Sequence, residues 1–103
     1  MIRHCVFVRF KGSVTAAERE AIYDDLRTLK GKIDGMLTAT FGHNVSPEGL
    51  GQGFDDGFVI DFRDAAARDA YLIHPDHQAA GGKLVSMLED GTGGLIVFDM
   101  KLA

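Results

Sequence analysis

Tryptophan is absent from this chain, cysteine occurs once and proline twice. The single thiol, Cys5, excludes an intrachain disulfide, and a chain without a disulfide framework suits a reducing compartment. No apolar run approaches the roughly 20 residues that a membrane-spanning helix needs. The opening Met1-Ile2-Arg3-His4-Cys5 lacks the apolar core and small-residue cleavage site of a secretory leader. The expected location is the cytoplasm. Basic residues are in the minority, 11 Lys and Arg against 15 Asp and Glu, for a formal net charge of −4. They are scattered, without the positive stripe that a phosphate backbone or an anionic lipid surface requires. Neither nucleic acid nor a membrane is an expected partner.

What is present is one domain's worth of chain, 103 residues. A domain of this size buries roughly two-thirds of its unfolded surface, enough for a modest core with little left for a deep private cavity. Association with a second subunit is the usual remedy. The pattern of the first nine residues after Met1 agrees. Ile2, His4, Val6, Val8 and Phe10 share one face of a strand, and Arg3, Cys5, Phe7 and Arg9 share the other. Both faces carry apolar side chains, so both are expected to be covered, with the Phe7 face reading as an interface.

Thr15-Ala16-Ala17-Glu18 is a capping box that starts a helix. Ile22, Leu26, Leu29 and Ile33 form its apolar stripe, with Tyr23 alongside, and the helix is expected to run to about Lys32. A second strand spans 36–45 with a bulge or bend at Gly42, followed by a glycine-rich connection over 46–53. A third strand covers 58–62. Asp64 caps a second helix from Ala65. Pro75 ends that helix at His74 and serves as the first residue of another. After the turn at 90–94 a last strand covers 95–102. The order β-α-β-β-α-α-β describes an α+β, ferredoxin-like layout with a four-stranded antiparallel sheet and all helices on one side.

Tyr71-Leu72-Ile73-His74-Pro75-Asp76-His77 resembles the Y-x-x-H-P-x-H signature of the stress-responsive dimeric α/β-barrel (Dabb) family. His4 to Lys11 is similar to that family's first strand, Gly42-His43-Asn44 to its G-x-N turn, and Phe98-Asp99 to its closing F-D. The resemblance covers nearly the whole of 1–103. It implies a homodimer in which two sheets close into an α+β barrel, with Phe7 inside the barrel and His4, Val6 and Val8 facing the helices. The family's best-understood activity is that of a plant polyketide cyclase, which closes a linear chain by aldol condensation in a pocket between sheet and helices. By that resemblance Tyr71 matches the tyrosine that holds the substrate and His77 the general base. Asp99 matches the aspartate near that base, and His4 a pocket histidine. Val6, Val8, Tyr23, Leu26 and Phe58 are the remaining candidates for the substrate-binding lining. Leu26 and Asp56 depart from the pattern, standing where that cyclase has a tyrosine and a histidine.

The residues support a similar chemistry on their own terms. Histidine is the natural proton carrier near neutrality, and an aspartate such as Asp99 beside His77 would fix its tautomer. A tyrosine hydroxyl suits a carbonyl oxygen on which negative charge develops. The ligand class expected is a small apolar or carbonyl-containing molecule, and no cofactor is expected. Each residue also has a structural reading. His74 is a cap at a helix junction, Tyr71 and His4 are core side chains, His77 is a packing residue, His43 is a solvated turn residue, and Asp99 bonds a neighbouring amide. His74 and His77 are three apart, but Pro75 between them breaks the shared helix face, so no metal site is expected. Three functions stay open: a cofactor-free cyclase, lyase or isomerase; a non-catalytic ligand-binding or interaction dimer; and a dimeric-barrel monooxygenase. The haem-degrading branch of that last group relies on a tryptophan, which this chain lacks.

Overall fold

The computed structural model describes residues 1–102. The chain runs β1 (Ile2–Val8), α1 (Ala16–Arg27), β2 (Met36–His43), β3 (Asp56–Phe62), α2 (Ala65–Ile73), α3 (Pro75–Ser86) and β4 (Leu95–Lys101). Short 3-10 turns cover Thr28–Gly31 and Gly91–Gly94. The four strands form one antiparallel sheet in the order β2-β3-β1-β4. This is the expected ferredoxin-like α+β fold.

The starts of the helices follow their local chemistry. The Thr15 hydroxyl accepts the Glu18 amide at 3.1 Å while the Glu18 carboxylate accepts the Thr15 amide at 3.0 Å, which completes the capping box. Asp64 accepts the Ala67 amide at 2.9 Å and opens α2. Pro75 occupies the first turn of α3, where its missing N–H is not needed, and His74 Nδ1 caps that helix by accepting the Asp76 amide at 3.1 Å.

Several details differ from expectation, among them β2 ending at His43 and β3 starting at Asp56. The first helix stops at Arg27 and tightens into a 3-10 turn, because the Thr28 hydroxyl donates to the Asp25 carbonyl at 2.8 Å. The ladder irregularity in β2 lies between Met36 and Thr38, whereas Gly42 sits in register opposite Gly57. Close packing requires Gly57 alone: a Cβ there would lie 2.6 Å from the Val6 carbonyl oxygen and 2.9 Å from the Phe7 ring, whereas one at Gly42 would meet nothing within 4 Å. Finally, β1 ends at Val8, and Phe10 makes an isolated bridge to Leu88.

The core lies between the helices and one face of the sheet. Ile2, Val6, Val8, Phe58, Ile60 and Phe62 from β1 and β3 meet Ile22, Tyr23, Leu26 and Leu29 from α1 and its following turn, Tyr71 from α2 and Leu84 from α3. Each fully buried aliphatic or phenyl side chain contributes roughly 1.5–3 kcal/mol. The opposite face carries no helix. Phe7 is 41% exposed there and Phe98 54%, with Ile96 and Met100 also exposed. β4 is an edge strand bonded only to β1, and most of its residues are exposed. Among the described residues, no helix is long and apolar enough to cross a membrane.

Candidate active site

Three elements bring the candidate residues together. β1 points His4 toward the helices, and the β1–β4 register sets Asp99 directly opposite it. The His4 Nδ1 lies 2.6 Å from an oxygen of Asp99. The other Asp99 oxygen accepts Arg68 from α2 at 2.9 Å. Burial pushes the Asp99 carboxyl up, but the hydrogen bonds from His4 and Arg68 together outweigh it and hold the group below the ordinary carboxylate range. With an ionised carboxylate facing Nδ1, that nitrogen carries the proton.

Tyr71 lies between the two histidines. Its ring is 5.9 Å from that of His4, edge to face, and 4.3 Å from that of His77. Phe62 backs it at 5.1 Å. Tyr71 is 1% exposed and His4 4%. Burial alone pushes the Tyr71 phenol well above its usual value, so it remains a proton donor at any physiological pH. His77 is half-buried, and its Nδ1 faces the Leu72 carbonyl at 3.2 Å, which again fixes the proton on Nδ1 and leaves Nε2 as the acceptor. Burial lowers the His77 pKa, outweighing the hydrogen bond to the Leu72 carbonyl. His77 is therefore a neutral imidazole with a free lone pair at pH 7.

The structure thus joins Tyr71, His77, His4 and Asp99, but the pairing differs from the one expected. Asp99 serves His4; the tautomer of His77 is set by a backbone carbonyl. Arg68, the cation on Asp99, was not singled out from sequence, since an arginine on a helix surface carries no pattern of its own. Val6, Val8, Tyr23, Leu26 and Phe58 are all buried. Tyr23 stacks with Phe41 at 4.6 Å and lies 6.2 Å from Phe58. Its hydroxyl is buried without a hydrogen-bond partner, and burial together with Asp56 raises its pKa to about 12. His43, read from sequence as a solvated turn residue, ends β2 and pairs with Asp56 at 2.5 Å. His74 is occupied as a helix cap. Burial pushes the Cys5 thiol up, which makes it a poor nucleophile.

A groove of about 530 Å³ lies on the other side of the sheet. Its lining includes Phe7, Gly42, Leu50, Phe54, Gly57 and Ile96. The glycine-rich connection between β2 and β3 supplies its outer wall.

The chain belongs to the Stress Responsive A/B Barrel Domain (Dabb) family, which matches residues 2–102. Among individual proteins, it is 24% identical over 98 residues to the olivetolic acid cyclase of Cannabis sativa, covering 95% of this chain and 93% of that one. A solved dimeric ferredoxin-like protein of unknown function from Jannaschia sp. CCS1 superimposes with a TM-score of 0.91 at 31% identity, over 98% of each chain. The hydroxynitrile lyase of Passiflora edulis shares the fold, with a TM-score of 0.85 at 19% identity over 99% of this chain and 93% of that one.

Proposed function

We propose that this chain works as a homodimer and as a cofactor-free acid–base catalyst, a cyclase, lyase or isomerase acting on a small carbonyl compound. The observation that carries the reading is Tyr71 held between two histidines, each with its Nδ1 proton fixed from behind, by Asp99 for His4 and by the Leu72 carbonyl for His77. In the first step His77 Nε2 takes a proton from the carbon beside the carbonyl. The C–H bonding pair becomes the new C=C bond, and the carbonyl π pair moves onto oxygen. The Tyr71 hydroxyl donates a hydrogen bond to that oxygen, and His4 lies on the other side of the Tyr71 ring. The nucleophilic carbon so formed attacks a second carbonyl in a cyclase or is reprotonated elsewhere in an isomerase. The relative named olivetolic acid cyclase supports the first outcome. Dimerisation follows from the apolar open face and agrees with the dimeric Jannaschia neighbour.

A second reading, a non-catalytic ligand-binding or interaction dimer, draws on the tight burial of Val6, Val8, Leu26 and Phe58, the residues expected to line a pocket. Deuterium exchange separates the two. Short-chain methyl ketones and β-diketones in D2O are expected to lose their α-proton signals faster with the protein than with buffer. His77→Ala is expected to abolish the excess, and Tyr71→Phe to reduce it. Exchange no faster than buffer across the series would leave the non-catalytic reading.

A further inference from the structure

We infer that Arg68 is a positioning residue for the His4 imidazole, acting through Asp99. The inference rests on the reading of His4, Tyr71 and His77 as one site. Asp99 sits on an edge strand whose residues are largely exposed. A carboxylate there, held by His4 alone, keeps one oxygen free and can rotate about its terminal torsion, which is broad. Arg68 removes that freedom. Its NH1 holds Oδ2 at 2.9 Å while His4 Nδ1 faces Oδ1 at 2.6 Å, so both oxygens are fixed at once.

The guanidinium is fixed in turn. Its Nε donates to Asp69 at 2.9 Å, so Arg68 spans two carboxylates. A planar fork does this with less loss of freedom than an ammonium on a flexible stem. The result is a relay from surface to core: Asp69 on Arg68, Arg68 on Asp99, Asp99 on His4, and His4 edge-on to Tyr71. Arg68 and Asp99 are each about one-quarter exposed, 25% and 24%, whereas His4 is buried. Arg68 touches neither Tyr71 nor His77 in the hydrogen-bond network, so its effect on the site must pass through Asp99 and the His4 tautomer.

The measurement is the His4 Nδ1 proton in the intact chain, observed by nitrogen-15 NMR. A proton in a short bond to a carboxylate resonates far downfield and is shielded from water. The wild type is expected to show it. In Arg68→Ala the signal should broaden or exchange about tenfold faster or more, the scale of losing one charge-assisted hydrogen bond. Arg68→Lys, which keeps the charge but not the planar fork, should restore it in part. Asp64→Ala removes the α2 cap without touching Asp99 and should leave the signal in place. An unmoved His4 proton in a folded Arg68→Ala chain would overturn the inference. So would equal loss in Asp64→Ala, which would assign the effect to general loosening of α2. No substrate is needed, so the two failures stay distinct: absent carbon–proton exchange removes the enzyme reading, whereas an unmoved His4 proton removes only the role of Arg68.

Discussion

Asp99 faces His4 across the β1–β4 ladder, with 2.6 Å between the carboxylate oxygen and Nδ1. The partnership assigns the aspartate to the histidine of the sheet and leaves the histidine of α3 to a backbone carbonyl. The consequence is a ranking. His77→Ala removes the base itself and should lower α-proton exchange by about 10²–10⁴-fold, the usual worth of a general base. Asp99→Asn removes only the charge behind His4 and should cost distinctly less. Exchange rates for the two variants under one set of conditions decide it. Equal losses would mean that Asp99 serves His77 during the reaction.

His77 should titrate below the ordinary imidazole value of 6.5, because burial disfavours its charged form. The sign of the stability effect follows. The unfolded chain takes up the proton at higher pH than the folded one. The His77 contribution is therefore fully present above the unfolded value and is lost as pH falls toward the lowered folded one. Carbon–proton resonances of the ring followed against pH give the midpoint directly. A midpoint at or above 6.5 would contradict the half-buried, neutral base, and the exchange rate would then fall off at a higher pH than the site chemistry requires.

The packing behind the site sets a stability prediction. Phe62 is fully buried, opposite Ile2 in the sheet, and its ring lies 5.1 Å from that of Tyr71. Phe62→Ala should cost about 3–5 kcal/mol, since the side chain is surrounded by strands and helix that cannot collapse inward. A denaturant midpoint that scarcely moves would show that α2 can close over the space. Loss of the Tyr71 backing should also lower exchange, so stability and activity fall together in this variant, unlike in Asp99→Asn.

Much of this arrangement is legible in local chemistry. Thr15 with Glu18, Asp64, and Pro75 after His74 each fix an element boundary through one or two neighbouring backbone groups, and the structure uses them as written. The two-sided first strand is legible too, because alternation assigns Phe7 and Val6 to opposite faces. What local reasoning does not reach is register between residues 95 positions apart. Whether Asp99 meets His4 or His77 depends on how the edge strand aligns with β1 and how far α3 stands from it, and no neighbouring residue encodes either. Arg68 is hidden for the same reason: its partner is on β4, 31 positions away. Whether a pocket opens between sheet and helices is likewise a packing result. Leu26, Phe58 and Tyr23 are apolar or aromatic in either case, and only their mutual contacts decide whether they enclose space or fill it.

The bare face of the sheet carries the last prediction. Phe7, Ile96, Phe98 and Met100 are exposed together on neighbouring strands β1 and β4. An exposed apolar surface of this kind on a chain of 11.2 kDa suits the proposed dimer interface. The same face holds an ion pair, Arg3 bonded to Asp61 at 2.9 and 3.2 Å, with Thr38 on the same carboxylate at 3.2 Å. Because the carboxylate is already met by three donors, covering it leaves no acceptor unpaired, and the apolar contribution is not cancelled by desolvating a lone charge. The wild type should therefore elute from size exclusion with light scattering at twice the chain mass. Phe98→Asp places an unpaired carboxylate in the middle of that surface and should shift the protein to a folded monomer. A wild-type monomer at micromolar concentration, or a Phe98→Asp chain that stays dimeric, would move the interface off this face.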